Sequence, residues 1–431
     1  MEQTLRDESP AGAGHHVGSE VGPLQEVIVH RPGAEMSRLT PANMDQLLFD
    51  DLLWLEQAQQ EHDEFVTTLE THGAQVLHLS DLLAETMALP QAREQLLGRV
   101  LGEHHYGPQG AESLRRHAET LSAAGIAELL VAGLTKRELL EHTSEPVSMD
   151  IMGRELDDFV LEPLPNHLFT RDTSCWVYDG VQVNAMAMPA RRREALNYEA
   201  IYRWHPRFAG ARRWGGVWPD GPDQLDPGLS PDERGALEGG DVLVVGNGTV
   251  LVGLSERTVA MGAERLARRL FAAGSARCVV AVQMPRERAQ MHLDTVMTML
   301  DEHSFIRYAG FGDRTTWVMR PREEPAVVGG AISIERHEPA DFTRVLADAL
   351  GLDGVRVLTP PHDPLLAQRE QWNDACNVLA LAPGVVVGYQ RNVLTRRFLE
   401  QSGISVIDVP GDELGRGRGG PRCMSCPTRR G

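Results

Sequence analysis

Two hydrophobic patterns divide the chain. From Asp81 to about Glu155, Leu82-Leu83, Leu96-Leu97, Val100-Leu101, Leu121, Leu129-Leu130 and Leu139-Leu140 recur among Glu, Arg, Gln and Ala. That spacing is helical rather than alternating, and β-branched residues are few. It predicts an α-helical insert over 81–155, made of short helices broken at Pro90, Gly107-Pro108 and Gly133. Elsewhere short β-branched runs come in pairs. Val-Leu-Val-Val after Asp241, a Gly-Asn-Gly turn and Thr-Val-Leu-Val-Gly read as a hairpin. A helix over Glu264–Ala272 and a strand from Cys278 follow.

The same plan recurs. Asn377-Val-Leu-Ala-Leu, an Ala-Pro-Gly turn and Val385-Val-Val-Gly-Tyr precede a helix at 394–401 and the strand Ile404-Ser-Val-Ile-Asp-Val. A third copy runs through Cys175-Trp-Val-Tyr and Val181-Gln-Val-Asn into a helix from Arg191. A fourth takes Thr316-Trp-Val-Met, Ala326-Val-Val, a helix from Asp341 and Val355-Arg-Val-Leu. A fifth takes Glu26-Val-Ile-Val-His, a helix over 50–70 and Gln75-Val-Leu-His-Leu. Such ββαβ units bury their faces only against neighbours, so they are expected to close around an axis and bring their loops to one centre. The expected organisation is therefore a polar, disordered tail over 1–20, a repeat domain over 21–80 and 156–431, and the helical insert between.

Composition narrows the function. At 431 residues, with 42% hydrophobic and 24% charged positions, the chain has the make-up of a globular protein. The net charge of −19 argues against nucleic acid, whose phosphates need a concentrated basic face, and agrees with a cationic substrate. Five cysteines, Cys175, Cys278, Cys376, Cys423 and Cys426, fit free thiols in a reducing compartment better than a disulfide framework. Residues 1–20 lack a signal peptide's apolar core, and no apolar run is long enough to span a bilayer. A cytoplasmic protein is expected.

Polar motifs sit at matching places in the units. Asn166-His-Leu-Phe-Thr-Arg-Asp172 precedes one hairpin; Glu238-Gly-Gly-Asp241 precedes another, and Ser255-Glu-Arg257-Thr follows it. Met291-His292-Leu-Asp294 follows a unit's last strand, and Gly417-Arg418-Gly-Gly-Pro-Arg-Cys423 follows the final one. Acids, a histidine and a thiol on equivalent loops point to one shared site. Taken singly, each has a plainer reading: His292 and Asp294 as a structural hydrogen bond, Glu-Gly-Gly-Asp as a turn. Cys423-Met-Ser-Cys426 has the spacing of a zinc half-site, but no second cysteine pair matches it. The Gly-Arg-Gly-Arg-Gly-Gly run is too short for an RNA-binding tract in so acidic a chain.

Together, Phe-Thr-Arg-Asp, Glu-Gly-Gly-Asp, Ser-Glu-Arg-Thr, Met-His-Leu-Asp and Arg-Cys-Met-Ser-Cys-Pro resemble the arginine deiminase family, in order and over nearly the whole chain. The resemblance implies a five-unit α/β-propeller, the pentein fold, with an inserted helical domain, and hydrolysis of free L-arginine to L-citrulline and ammonia. It implies Cys423 as nucleophile, His292 as acid and base, Asp172 and Asp294 as guanidinium acceptors, and Glu238 keeping His292 charged. Asn166 and Phe169 would line the substrate, Arg191 and Arg257 would take its α-carboxylate, and Gly417 with Arg418 would gate the site. Arg191 is selected from the run Arg191–Arg193 by register. No metal or organic cofactor is implied, and a homo-oligomer, dimer or dimer of dimers, is expected. Cys426 reads as a spectator. Related guanidine enzymes (agmatine deiminase, dimethylarginine hydrolase, amidinotransferase) and a non-catalytic arginine-binding relative are the alternatives.

Overall fold

The computed structural model describes residues 14–143, 148–218, 235–326 and 330–431. The hairpin turn Gly246-Asn247-Gly248 shows why the strand pairs form where they do. All three residues have positive φ, at 99°, 51° and 64°, a conformation that glycine and asparagine tolerate best. The turn joins Val242–Gly246 to Thr249–Leu254, an amphipathic helix Ala260–Ala272 packs back, and Cys278–Gln283 pairs parallel to the hairpin's second strand.

Four more sheets repeat that plan. In the first, Ser174–Val177 and Gly180–Val183 lead through the helix Arg192–Trp204 to Arg212–Gly215. Met297–Asp301, Ser304–Arg307, Phe342–Leu350 and Arg356–Leu358 make another. Leu379–Ala382, Val385–Tyr389, Val393–Gln401 and Ser405–Val409 make the next. The last draws on both ends of the described chain. Cys426–Arg430 pairs antiparallel with Leu24–Val29, which leads through Leu55–Thr71 to Gln75–His78. The fold is α/β, and its sheets remain separate from one another.

Two expectations need correcting. The fourth unit's hairpin is formed by Met297–Asp301 and Ser304–Arg307, not by the strand from Thr316. Thr316–Ala326 and Gly330–His337 instead extend the neighbouring sheet, where Val280 faces Val318. Both hairpins are apolar and β-branched, so pattern alone does not say which carries the unit. Val327 and Val328 of the expected strand lie outside the described residues. The tail is also shorter than 1–20. Residues 1–13 lie outside the description, but Val17 exchanges backbone bonds with Tyr178, His16 bridges to Arg429, and Glu20 is buried.

The segment 81–155 is helical, and its expected breaks fall at helix boundaries or bends. Pro90 opens the helix Pro90–Val100, where its missing N–H costs nothing. Gly107 bends Glu103–Glu119 at φ 65°, and Gly133 ends Ala123–Ala132 at φ 76°. Its Leu82, Leu83, Leu96 and Leu130 share one apolar cluster with Trp176, Tyr198, Val242 and Leu266 of the first two units. A second cluster joins the later units, and a third gathers the N-terminal unit around Phe169 and Cys423. Among the described residues, no helix is long and apolar enough to cross a membrane.

Candidate active site

Each unit contributes the loop just before its hairpin. Asp172 stands two residues ahead of the strand Ser174–Val177, and Asp294 three ahead of Met297–Asp301. Asn377 stands two ahead of Leu379–Ala382, and Cys423 three ahead of Cys426–Arg430; Glu238 opens the turn Gly239–Asp241 before Val242–Gly246. All five side chains are buried. Equivalence in the repeat thus becomes proximity in space.

Cys423 is held by Asn377 from two sides. Its N–H donates to Asn377 Oδ1 at 3.0 Å, and Asn377 Nδ2 lies 3.1 Å from its Sγ. Asp294 Oδ2 is 3.6 Å from the sulfur. Burial pushes the thiol well above its ordinary pKa; Asp294, Asp172 and Asp374 push the same way, and Arg422 opposes them. That environment favours the neutral thiol over the thiolate.

His292 has the opposite environment. Its Nε2 is 2.8 Å from Glu238 Oε2 and its Nδ1 is 3.5 Å from Asp172 Oδ1. Burial disfavours the charge, but Asp172, the Glu238 bond and Asp241 outweigh it and raise His292 to about 9. Glu238 is desolvated too, yet His292, Arg257 and Arg191 hold it down to about 2. Asp172, Glu238 and His292 also present ligand-type atoms within 4.8 Å of one another. With a carboxylate facing each ring nitrogen, the trio is satisfied by an imidazolium.

The glycines of Glu238-Gly-Gly-Asp241 permit this packing. A Cβ on Gly240 would stand 2.6 Å from His292 Nδ1, and one on Gly239 would stand 2.0 Å from the Arg171 carbonyl oxygen. Asp241 anchors the turn from below, accepting from Leu293 N at 2.9 Å and Ser255 Oγ at 2.6 Å.

Asp172 and Asp294 are built alike. Arg191 Nη1 donates to Asp172 Oδ2 at 2.5 Å, and Arg422 Nη1 to Asp294 Oδ2 at 2.6 Å. The other oxygen of each, Oδ1, is buried and accepts no hydrogen bond, although that of Asp172 stands 3.5 Å from His292 Nδ1. Carboxylate oxygens with acceptor capacity to spare suit a ligand rich in N–H donors.

Arg191 departs from expectation. It is the member of Arg191–Arg193 that faces the site, but its guanidinium is spent on Asp172, on Glu194 (Nη2 to Oε2, 3.0 Å) and on the Asn166 carbonyl. A buried guanidinium takes the nearest carboxylates, so Arg191 holds Asp172 instead of facing an open space. Arg193 turns away to the Glu162 carbonyl. Arg257 is buried 3.7 Å from Glu238 and 3.0 Å from Glu256.

Phe169 stacks on Phe49, ring centroids 6.3 Å apart, and Asn166 Nδ2 donates to the Leu47 carbonyl at 2.7 Å. The loop before the helix Leu55–Thr71 therefore roofs this side. Gly417 fits beneath it because a Cβ there would lie 2.8 Å from both rings. Arg418, in the left-handed region at φ 64°, lays its guanidinium 3.5 Å from the Trp372 ring centroid. Cys426 lies outside this cluster, donating to the Ser174 carbonyl at 3.2 Å.

Sequence reasoning missed Asn377 and Arg422. Asn377 occupies the pre-hairpin position that the repeat makes equivalent to Asp172 and Cys423, so repeat alignment alone could have found it. Arg422 stood inside a recognised motif but had no role assigned to it.

A family model described as arginine deiminase matches residues 45–430. Among solved structures, the amidinotransferase SxtG from Microseira wollei is similar at 16% identity and a TM-score of 0.54, covering 96% of this chain and 97% of that one. The product-bound N-terminal domain of ArgZ, described as a cyanobacterial arginine dihydrolase, is similar at 12% identity and a TM-score of 0.52, covering 94% and 97%. These likenesses are to the fold of pentein enzymes that modify guanidines. By that family match, which takes in every residue of the cluster, the chain belongs to the arginine deiminase family.

Proposed function

We propose that the protein hydrolyses free L-arginine to L-citrulline and ammonia through a covalent adduct on Cys423, its five units set about a common axis with the site at the centre. The observation that carries this reading is one buried cluster that holds the Cys423 thiol 3.6 Å from Asp294, a His292 flanked by Asp172 and Glu238, and Oδ1 atoms on both aspartates that accept no hydrogen bond. A guanidinium entering there donates N–H bonds to both oxygens and offsets the negative charge that keeps the thiol protonated. The Cys423 thiol gives up its proton to solvent, and the thiolate attacks the guanidinium carbon, forming a C–S bond and a tetrahedral adduct. His292 gives its proton to one nitrogen, the C–N bond breaks and ammonia leaves. Water then adds to the amidino carbon as His292 takes one of its protons; the remaining hydroxyl proton passes to solvent, where it meets the ammonia, as the C–S bond breaks to release citrulline and the thiolate.

Arg257 is the group proposed for the substrate's α-carboxylate, while Arg191 keeps Asp172 in place. Turnover of arginine, agmatine and methylated arginines side by side tests the assignment. Agmatine lacks the carboxylate and so forgoes a charge-assisted pair with Arg257, a loss of roughly 3 kcal/mol in a buried site, about two decades in kcat/KM. Arginine should lead by that margin, and Arg257→Ala should narrow it. Equal use of agmatine would rule out this reading, and preferred use of methylated arginines would move the activity to dimethylarginine hydrolysis.

A further inference from the structure

Arg422 touches two acids, and only one of them belongs to the site. Its Nη1 donates to Asp294 Oδ2, while the rest of its fork closes on Glu20: Nε to Oε2 at 3.0 Å and Nη2 to Oε1 at 3.1 Å. Nη2 also donates to the Val242 carbonyl at 2.8 Å. Glu20 is fixed in turn, its N–H donating to the Val244 carbonyl at 2.6 Å and its Oε1 accepting from Val244 N at 3.3 Å. Glu20, Arg422 and Asp294 are all buried. Glu20 also precedes the span that the family model matches.

We propose that Glu20 is a positioning residue: by anchoring and neutralising Arg422, it keeps Asp294 oriented with Oδ1 bare and leaves that carboxylate's charge for a guanidinium substrate. The charge count shows why. Glu20, Arg422 and Asp294 together carry one net negative charge; Arg171 stands 3.8 Å from Glu20 and offsets part of it, and a cationic ligand on Asp294 can meet the rest. Without the Glu20 charge the trio is neutral, and Arg422 is left to bind Asp294 alone. Burial works against the Glu20 charge, but Arg422, Arg171 and Arg430 hold its pKa down to about 2, so it stays ionised.

The proposal rests on Asp294 receiving the guanidinium, and its test has one arm that needs no turnover. Glu20→Gln keeps the shape and removes the charge. KM for arginine should rise by about tenfold or more, as expected for losing one partly screened charge from a buried site, with kcat changing less. The pH profile of Cys423 alkylation by iodoacetamide, read on the peptide carrying that residue, should shift to lower pH. Burial and the charges of Asp294, Asp172, Asp374 and Arg422 set it, with Arg418 and Tyr389 also facing the thiol, and removing the Glu20 charge makes the surroundings more positive. A role confined to packing would not move that profile. Glu20→Asp, which keeps the charge on a shorter arm, should leave the profile at the wild-type position and recover part of the affinity. A wild-type profile and KM in Glu20→Gln would overturn the proposal. If that variant does not fold, Glu20→Ala, which also removes the charge, decides: a raised KM with the profile moved to lower pH supports the proposal, and an unmoved profile overturns it. Failure of the wild-type enzyme to turn over arginine would instead count against the function, with the alkylation shift still reporting on Glu20.

Discussion

His292 stores stability as well as chemistry. Its folded pKa of about 9 stands above the ordinary histidine value, so the folded state holds a proton that the unfolded chain releases earlier. That contribution is complete below about pH 6.5 and drains away as pH rises towards 9. Thermal melts across that window should show falling stability, and His292→Asn should flatten the slope. An unchanged slope in the variant would show that other groups govern it. The site's other residues divide by how visible they were. Cys423, His292, Glu238, Asp172 and Asp294 were legible because acids, a histidine and a thiol recur on equivalent loops of the repeat, within motifs that resemble one family. Glu20 was not, since one glutamate in a polar stretch looks like any other until the fold sets it against Arg422.

Turns do more here than reverse the chain. In Glu238-Gly-Gly-Asp241 the glycines leave room for the imidazole that Glu238 holds. Gly240→Ala would put a methyl group 2.6 Å from His292 Nδ1, so either the ring or the turn must shift. A displacement near 1 Å is enough for a loss of about 100-fold in kcat. Melting should fall as well, by about 1–3 kcal/mol of stability, because the extra methyl overpacks a buried turn although Gly240 has no positive φ to lose. Wild-type kcat in Gly240→Ala would mean that the turn is more pliable than its contacts imply. Among the elements, the five-fold plan of hairpin, helix and parallel strand was readable from period and turn chemistry. The choice between Met297–Arg307 and the strand from Thr316 was not, because sheet partnership depends on tertiary packing that both sequences satisfy. The strand Cys426–Arg430 escaped notice for a similar reason: Cys-Pro-Thr-Arg-Arg carries no alternation, and its partner Leu24–Val29 lies at the other end of the sequence.

Taken whole, the molecule gives its helical segment no independent interior. Leu82, Leu83, Leu96 and Leu130 share a cluster with Trp176, Val242 and Leu266, so residues 81–155 should melt together with the first two units. Calorimetry and far-ultraviolet dichroism should give coincident transitions for these regions, whereas a separate early helical transition would show that the segment folds by itself. The sheet that joins the two ends of the chain has a mechanical consequence. Leu24 lies opposite Arg430 and Ile28 opposite Cys426, in antiparallel register. Tension applied across Leu24 and Arg430 would load that ladder from one end, rupturing its bonds in succession instead of shearing them together. Cys423 lies three residues beyond the end of that ladder, so a pulling machine that engaged the chain after Arg430 would draw out the nucleophile while the other four sheets still stood.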